Sequence, residues 1–265
     1  MARQFIFKNN DITKIDKAYL YDALCQHTIE KNDSNELYKL SGPELRHINV
    51  LRHNIGDSII INNMECKVLH ISKEYAIVDK IRDRLEKGKP NINVTLYQAF
   101  LKSDKMDYLT QKSVELGITT IVPFFSTNTI VKLDEKDRLK RQDKLQKICI
   151  EATKQCGRTD EIQVFEFINF KDMLEVIPKH SFCIFAYENE TESVKSVIKE
   201  LQKTDIQHTD IAIIVGPEGG FTTKEAEELS KQLNVYTVSL GERILRAETA
   251  SVNLITIMMY EFDNI

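Results

Sequence analysis

Short apolar runs alternate with longer amphipathic segments through the chain after residue 90. The apolar runs predict strands over 93–98, 118–125 and 182–187, and two more that end at Val215 and close to Leu240. The amphipathic segments predict helices over 103–116, 137–156, 193–201 and 247–262. This alternation predicts an α/β domain whose mostly parallel sheet is covered by helices.

The first third of the chain has a different pattern. Short strands are predicted over 58–61, 66–71 and 75–78, with a turn at Asn62-Asn63. Strands at this spacing predict a small β-barrel. Ser41 and Glu44 have the spacing of a capping box, which predicts a helix beginning there and running to about Arg52.

A charged stretch that also contains glycine and proline, residues 84–91, separates the two patterns. We therefore expect two domains, 1–84 and 91–265, in a chain of 265 residues. Each is long enough to bury a core of its own.

The composition is that of a soluble globular protein, with 42% hydrophobic and 29% charged residues. No apolar run approaches the roughly 20 residues of a membrane helix, and the first residues lack the apolar segment of a signal peptide. Five cysteines without a C-x-x-C pair indicate reduced thiols, a cytoplasmic location and no metal site.

Charge is unevenly distributed along the chain. The net charge of −4 disfavours a nonspecific nucleic-acid binder. Residues 132–158 carry 9 Lys/Arg against 5 Asp/Glu, whereas residues 205–265 carry 4 against 10. The pattern is compatible both with an RNA enzyme that has an acidic catalytic end and with ordinary solvated helix surfaces.

Two glycine turns follow apolar strands near the carboxyl end. The first is Gly216-Pro217-Glu218-Gly219-Gly220, and the second begins at Leu240-Gly241. Thr222 and Glu225 form a capping-box pattern that predicts a helix directly after the first turn. The first turn lacks the glycine spacing of a phosphate-binding motif, and Glu218 within it would repel a pyrophosphate. We therefore expect a ligand without phosphates at these strand ends, although a tight turn before a helix is the alternative for the first loop alone.

Four ordered blocks carry a resemblance to a known family. They are 102–107 with 111–117 and 121–123, then 151–158, then 216–221, then 240–250. These blocks resemble the signatures of the ribosomal RNA small subunit methyltransferase E family, and four at family-like spacing are far more specific than one glycine loop. The resemblance implies a SPOUT α/β-knot (trefoil) methyltransferase domain, preceded by a PUA-like RNA-binding β-barrel. It also implies a homodimer and methylation of uridine N3 in 16S ribosomal RNA, with S-adenosylmethionine as cofactor.

The resemblance also implies which residues form the site. The cofactor-binding residues would be Val215, Gly216, Pro217, Gly219, Gly220, Val238, Ser239, Leu240, Gly241, Ile244, Leu245, Arg246 and Thr249. The residues that contact RNA would be Arg46, Arg52, Lys102, Lys105 and Arg158.

Uridine N3–H is weakly acidic, so methylation requires that a proton leave and that the resulting anion be stabilised. Arg246 is the candidate cation, and Glu218 or Glu248 would accept the proton or orient Arg246. Each has a structural alternative. Arg246 would then pair with Glu242 or Glu248, and Glu218 would stabilise the amino end of the helix that follows its loop.

Two other functions are compatible with the same residues. One is a related SPOUT enzyme that methylates a different acceptor, such as a ribose 2′-hydroxyl of transfer RNA. The other is a non-catalytic RNA-binding assembly factor, which would have no physical need for Gly219 and Gly220.

Overall fold

The computed structural model describes residues 4–7, 9–15, 36–83, 88–202 and 210–265. The chain forms two compact units, one of Met1–Lys87 with Gly157–Thr159 and the other of Gly88–Cys156 with Asp160–Ile265. Of the expected linker, residues 84–87 lie outside the described residues.

The first unit is built on a six-stranded sheet around one short helix. Its strands are β1 (Gln4–Phe5), β2 (Ile12–Ile15), β3 (Glu36–Leu40), β4 (Ser58–Ile61), β5 (Met64–Ile71) and β6 (Ala76–Asp83), and its helix is α1 (Pro43–Val50). The strand order is β1-β4-β5-β6-β3-β2, antiparallel except where β1 pairs with β4. The strands expected near 58–61, 66–71 and 75–78 are confirmed, and β5 and β6 run longer than predicted.

The capping box predicted at Ser41 is wrong. The N-cap of α1 is Gly42, and no side chain caps the helix. Pro43 is the first helical residue, so the residue before it becomes the N-cap. Gly42 adopts a φ of 80°, which glycine tolerates and serine does not.

The second unit is a parallel α/β sheet. Its strands are β7 (Asn93–Ala99), β8 (Thr120–Phe125), β9 (Gln163–Val164), β10 (Ile168–Asn169), β11 (Phe182–Ala186), β12 (Asp210–Val215) and β13 (Val235–Val238). Its helices are α2 (Ser103–Leu116), α3 (Glu135–Cys156), α4 (Phe170–Val176), α5 (Val194–Leu201), α6 (Thr223–Ser230) and α7 (Ala247–Glu261). The strand order is β10-β8-β7-β12-β11-β13, with β9 beside β8, and every pairing is parallel. The predicted mostly parallel sheet is therefore confirmed.

Helices cover both faces of this sheet because alternate strand residues point to opposite sides. Leu96 packs in the core with α2, α3, α5 and α7, whereas its neighbour Tyr97 packs in the core with α4 and α6. Ile213 and Ile214 of β12 divide between the two cores in the same way. Strands buried on both faces are mostly apolar, which is why the predicted strands were nearly continuous apolar runs.

Two helix ends follow their sequence signals. Gly117 closes α2 with a φ of 110°, in the left-handed region. Thr222 caps α6, and its capping box with Glu225 is confirmed.

The Glu225 side chain makes a second connection that the sequence did not indicate. One carboxylate oxygen accepts hydrogen bonds from Thr222 N and Oγ1, both at 2.9 Å. The other accepts from Thr127 N at 2.8 Å and Thr127 Oγ1 at 2.9 Å, in the loop after β8. Burial alone would raise the pKa of this carboxyl, but the hydrogen bonds outweigh it and hold the pKa below its ordinary value.

Four cysteines in the described part of the chain are free thiols, and Cys25 lies outside it. Burial raises the pKa of Cys66 and of Cys183 to about 12, so neither is a reactive thiolate near neutral pH.

Among the described residues, no helix has the length and apolarity to span a bilayer. No cluster of three or more His, Cys, Asp or Glu in these residues could hold a metal ion.

We predict that Glu225→Gln lowers the free energy of unfolding by about 1–3 kcal/mol at pH 7, because an amide NH2 group cannot accept the hydrogen bonds that one carboxylate oxygen accepts. The wild-type carboxyl has a lowered pKa, so its contribution is complete above the ordinary value of 4.5 and is lost as the pH falls through the lower, folded-state pKa. Urea unfolding at pH 7 and pH 3 should show the difference between wild type and variant narrowing at pH 3.

Glu227→Gln is the matched control, since Glu227 is exposed on the same helix. It should change stability little at either pH. An equal difference between wild type and Glu225→Gln at both pH values would contradict the assignment.

Candidate functional site

A cavity of about 430 Å3 lies at the carboxyl ends of β11, β12 and β13. Its walls come from residues within three segments, namely 186–188 after β11, 215–221 after β12 and 239–250 after β13, and from Lys105 of α2. Open parallel sheets bind ligands at this edge, because the loops that follow neighbouring strands converge there. The two glycine turns therefore meet at one site, as their positions after apolar strands predicted.

Most of the residues expected to bind the cofactor line this cavity. They are Val215, Gly216, Pro217, Gly220, Ser239, Leu240, Gly241, Ile244, Leu245 and Arg246. Glu218 also lines it. Gly219, Val238 and Thr249 do not, and Val238 is fully buried in the core.

Close packing leaves no room for a side chain at Gly216. A Cβ there would lie 2.9 Å from the Phe221 ring. That ring is buried and stands edge-on to Phe185, with the ring centroids 5.0 Å apart, so it has little space to move. At Gly220 the reason for glycine is conformational, because its φ of 67° is in the left-handed region.

Asn128, in the loop after β8, fixes the far side of the first glycine turn. Its Nδ2 donates to the carbonyl oxygens of Gly219 at 3.1 Å and Gly220 at 3.2 Å. The adjacent Thr127 binds Glu225, so the loop after β8 is tied to both the turn and the helix that follows it. Nothing in the sequence pattern indicated this contact, since the two loops are 91 residues apart.

The side chain of Gln98 connects the elements beneath the cavity through hydrogen bonds. It is fully buried near the end of β7, and its Nε2 donates to the carbonyl oxygens of Ala99 at 3.0 Å and Gly216 at 3.1 Å. Its Oε1 accepts from Ser251 Oγ at 2.5 Å. One side chain thus links β7, the first glycine turn and the start of α7. An amide side chain at the end of a mostly apolar strand was the available signal for this role.

Three charged side chains meet at the cavity wall. Lys105 Nζ lies 3.4 Å from Glu218 Oε1 and 3.7 Å from Glu248 Oε2. Glu218 Oε1 also accepts from the main-chain N of Lys102 at 3.3 Å. Lys105, predicted to contact RNA, is therefore part of the cavity lining and is paired with two carboxylates.

Arg246 is the N-cap residue of α7, and its exposed side chain lines the same cavity. Within the described ranges it has no ion pair with Glu242 or Glu248, the partners that a structural role would use, and the carboxylate of Glu248 pairs with Lys105 instead. The guanidinium is thus available to a ligand.

The other residues expected to contact RNA differ in exposure. Arg46 and Arg52 are exposed in and just after α1 of the first unit. Lys102 is exposed at the N-cap of α2. Arg158 is only 3% exposed, which leaves little of its surface for a nucleic acid.

Several cavity residues were not predicted. They are Ala186, Tyr187, Glu188, Phe221, Glu242, Arg243, Ala247 and Ala250. The residues of the loop after β11 carry no glycine turn or motif, and only the pairing of β11 between β12 and β13 brings that loop to the site.

Comparison with known proteins identifies the family. Residues 88–259 match the family described as the RNA methyltransferase domain. A ribosomal RNA small subunit methyltransferase E from Bacillus subtilis is 32% identical over 235 residues, which cover 84% of this chain and 90% of the relative. The chain belongs to the ribosomal RNA small subunit methyltransferase E family.

Other members agree in sequence and structure. A small subunit methyltransferase E from Rickettsia conorii is 34% identical over 211 residues, covering 78% of this chain and 82% of the relative. The crystal structure of the family member from Neisseria gonorrhoeae, bound to S-adenosylmethionine, superposes with a TM-score of 0.77 and 26% identity. That similarity covers 98% of each chain.

We predict that Ser251→Ala lowers the free energy of unfolding of this family member by about 1–3 kcal/mol, because it leaves the buried Oε1 of Gln98 without its donor. Thr256→Ala is the control on the same helix, since the Thr256 hydroxyl donates only to the Val252 carbonyl of its own helix. Chemical denaturation of both variants measures the difference. Equal losses for the two variants would contradict a special role for the Gln98 contact.

Proposed function

We propose that this protein uses S-adenosylmethionine to methylate N3 of a uridine in the 16S RNA of the small ribosomal subunit. The observation that carries the proposal is the cavity formed by the two glycine turns, with Arg246, Lys105 and Glu218 on its wall and Glu248 paired with Lys105 beside it. Membership of the small subunit methyltransferase E family supports the same activity.

The cavity suits this cofactor in size. Its volume of about 430 Å3 is in the range of small-molecule sites. S-adenosylmethionine contains both positively charged groups and a carboxylate, and the cavity is lined by carboxylates of Glu188, Glu218 and Glu242 and by cations of Lys105, Arg243 and Arg246.

The two turns supply the groups that would hold the cofactor. Main-chain N–H and C=O groups of 215–216, 239–241 and 244–245 would bind the adenine, and apolar side chains such as Leu240 and Leu245 would enclose the ring. When bound, the cofactor supplies a methyl group already activated by a sulfonium. The protein's task is then to align the acceptor and to manage the N3 proton.

Two side chains perform that task in our proposal. The guanidinium of Arg246 stabilises negative charge on the uracil ring as the proton leaves. Glu218 accepts the proton, because its Oε2 is buried at the cavity wall without a hydrogen-bond partner among the described residues.

RNA recognition extends beyond this cavity in the proposal. The first unit is a PUA-like RNA-binding barrel, with Arg46 and Arg52 of its exposed surface contacting phosphates. Lys102 makes a further contact close to the reaction site. The catalytic unit has the trefoil knot of the SPOUT class and acts as a homodimer in the cytoplasm.

The decisive experiment is transfer of a radiolabelled methyl group from S-adenosylmethionine to small ribosomal subunits that lack native modification. Label in 3-methyluridine is the expected result. Label in another nucleoside would mean a SPOUT enzyme with a different acceptor, and absence of both transfer and cofactor binding would favour an assembly factor.

We predict that Arg246→Ala binds S-adenosylmethionine normally but lowers kcat by about 10²–10³-fold, because one charged group that stabilises the developing anion is lost. Single-turnover methyl transfer and calorimetric cofactor titration separate the two effects. Lys171→Ala, which removes an exposed cation on α4, is the control and should retain wild-type turnover. Near-normal turnover of Arg246→Ala would refute the assigned role.

A further inference from the structure

Lys105 occupies an unusual electrostatic position. Its ammonium lies between two carboxylates that reach it from separate parts of the chain, Glu218 after β12 and Glu248 in the first turn of α7. All three side chains are largely buried, with 24%, 16% and 13% of the surface of Lys105, Glu218 and Glu248 exposed. Such burial makes their mutual interactions stronger than those of surface ion pairs.

The charges in this cluster do not balance. Two carboxylates face a single ammonium, so one negative charge is left over beside the cavity. The other charged residues of the cavity wall, Glu188, Glu242, Arg243 and Arg246, form no ion pair with the cluster in the part of the chain that the structure describes. A ligand group that brings a positive charge or a proton would therefore be favoured beside these carboxylates.

The contacts of Glu218 concentrate on one of its two carboxylate oxygens. Oε1 accepts a hydrogen bond from Lys102 N at 3.3 Å and forms the ion pair with Lys105 Nζ at 3.4 Å. Oε2 is buried and has no hydrogen-bond partner among the described residues. A buried carboxylate oxygen without a donor is costly, unless a ligand donor binds it.

We propose that Lys105 is the positioning residue of the reaction: it holds Glu218 by Oε1 so that Oε2 receives the N3 proton of the uridine. In this step the N3–H bond breaks, an O–H bond forms at Oε2 and the electron pair stays on N3. Lys105 touches Glu218 and not the reacting atoms. The inference rests on the proposed function and replaces the expected role of Lys105 as an RNA contact.

A second consequence concerns Glu248. Its negative charge competes with Glu218 for the same ammonium. Removing Lys105 leaves two carboxylates without the ammonium that both of them contact, which favours binding of a proton between them. Removing the charge of Glu248 instead leaves Glu218 as the one carboxylate of this cluster that pairs with Lys105. The two substitutions should therefore move the pH dependence of methyl transfer in opposite directions.

The test compares Lys105→Met, Lys105→Arg and Glu248→Gln with wild type. Lys112→Met is the control, because Lys112 lies on the same helix and its one ion pair among the described residues is with Glu115. Two quantities are measured for each variant, the dissociation constant of S-adenosylmethionine by calorimetry and the pH profile of single-turnover methyl transfer. Wild type must first bind the cofactor and form 3-methyluridine. Failure at that point would reject the proposed function and not the role of Lys105.

We expect Lys105→Met to bind the cofactor no more weakly than wild type, because removing a cation does not oppose a positively charged ligand. Its methyl-transfer rate at pH 7 should fall about 100-fold, the scale of a lost general-base contribution. The acidic limb of its pH profile should move to higher pH, and that of Glu248→Gln to lower pH. Lys105→Arg should recover part of the rate.

Three results would overturn the inference. The first is a wild-type rate and pH profile in Lys105→Met. The second is loss of cofactor binding together with rate in both Lys105 variants, which indicates a structural role. The third is a shift of the acidic limb of Glu248→Gln to higher pH than in wild type, and this result decides the question even if Lys105→Met does not fold.

Discussion

The site depends on the hydrogen bonds of one buried amide. Gln98 stands in a strand that is buried on both faces, where an unpaired polar side chain would be strongly unfavourable. Its partners are the carbonyls of Ala99 and Gly216 and the hydroxyl of Ser251. Satisfying this amide therefore fixes where the first glycine turn and α7 lie relative to β7. Every other contact at the cavity builds on that arrangement.

The glycine turn is then held from its far side by the loop after β8. Asn128 binds the carbonyls of Gly219 and Gly220, while Thr127 binds the Glu225 carboxylate. These contacts are side chain to main chain, so they hold backbone whose own hydrogen-bonding groups belong to no strand or helix. Because the turn is already ordered, it can present main-chain groups to a ligand without a further loss of conformational entropy on binding.

The charged side chains at the cavity would perform the chemistry, whereas the hydrogen bonds described above hold the backbone around it. The last part of the chain, 205–265, is strongly acidic. Two of its carboxylates, Glu218 and Glu248, pair with Lys105, which is distant from them in the sequence. Arg246 faces the same cavity without an ion-pair partner among the described residues. The cavity is thus lined by Arg246, whose guanidinium can contact a substrate, and by Lys105, whose ammonium already pairs with Glu218 and Glu248. In our proposals Arg246 stabilises the uridine anion, and Lys105 orients Glu218 as the proton acceptor.

The sequence by itself determined most elements of the second unit, the parallel sheet and the two turns at its edge, whereas β9, β10 and α4 were not predicted. Periodicity, glycine and capping residues are local signals, and they are strong where a strand is buried on both faces or where Thr222 and Glu225 lie three residues apart. The start of α1 was predicted wrongly, because Pro43 is the first helical residue and makes Gly42 the N-cap in place of Ser41. Only the tertiary structure decided that Asn128, Gln98 and Glu188 belong to the site and that Lys105 pairs with Glu218 and Glu248. These contacts join residues that are far apart in the chain, and the order of the strands, which no local pattern encodes, is what brings them together.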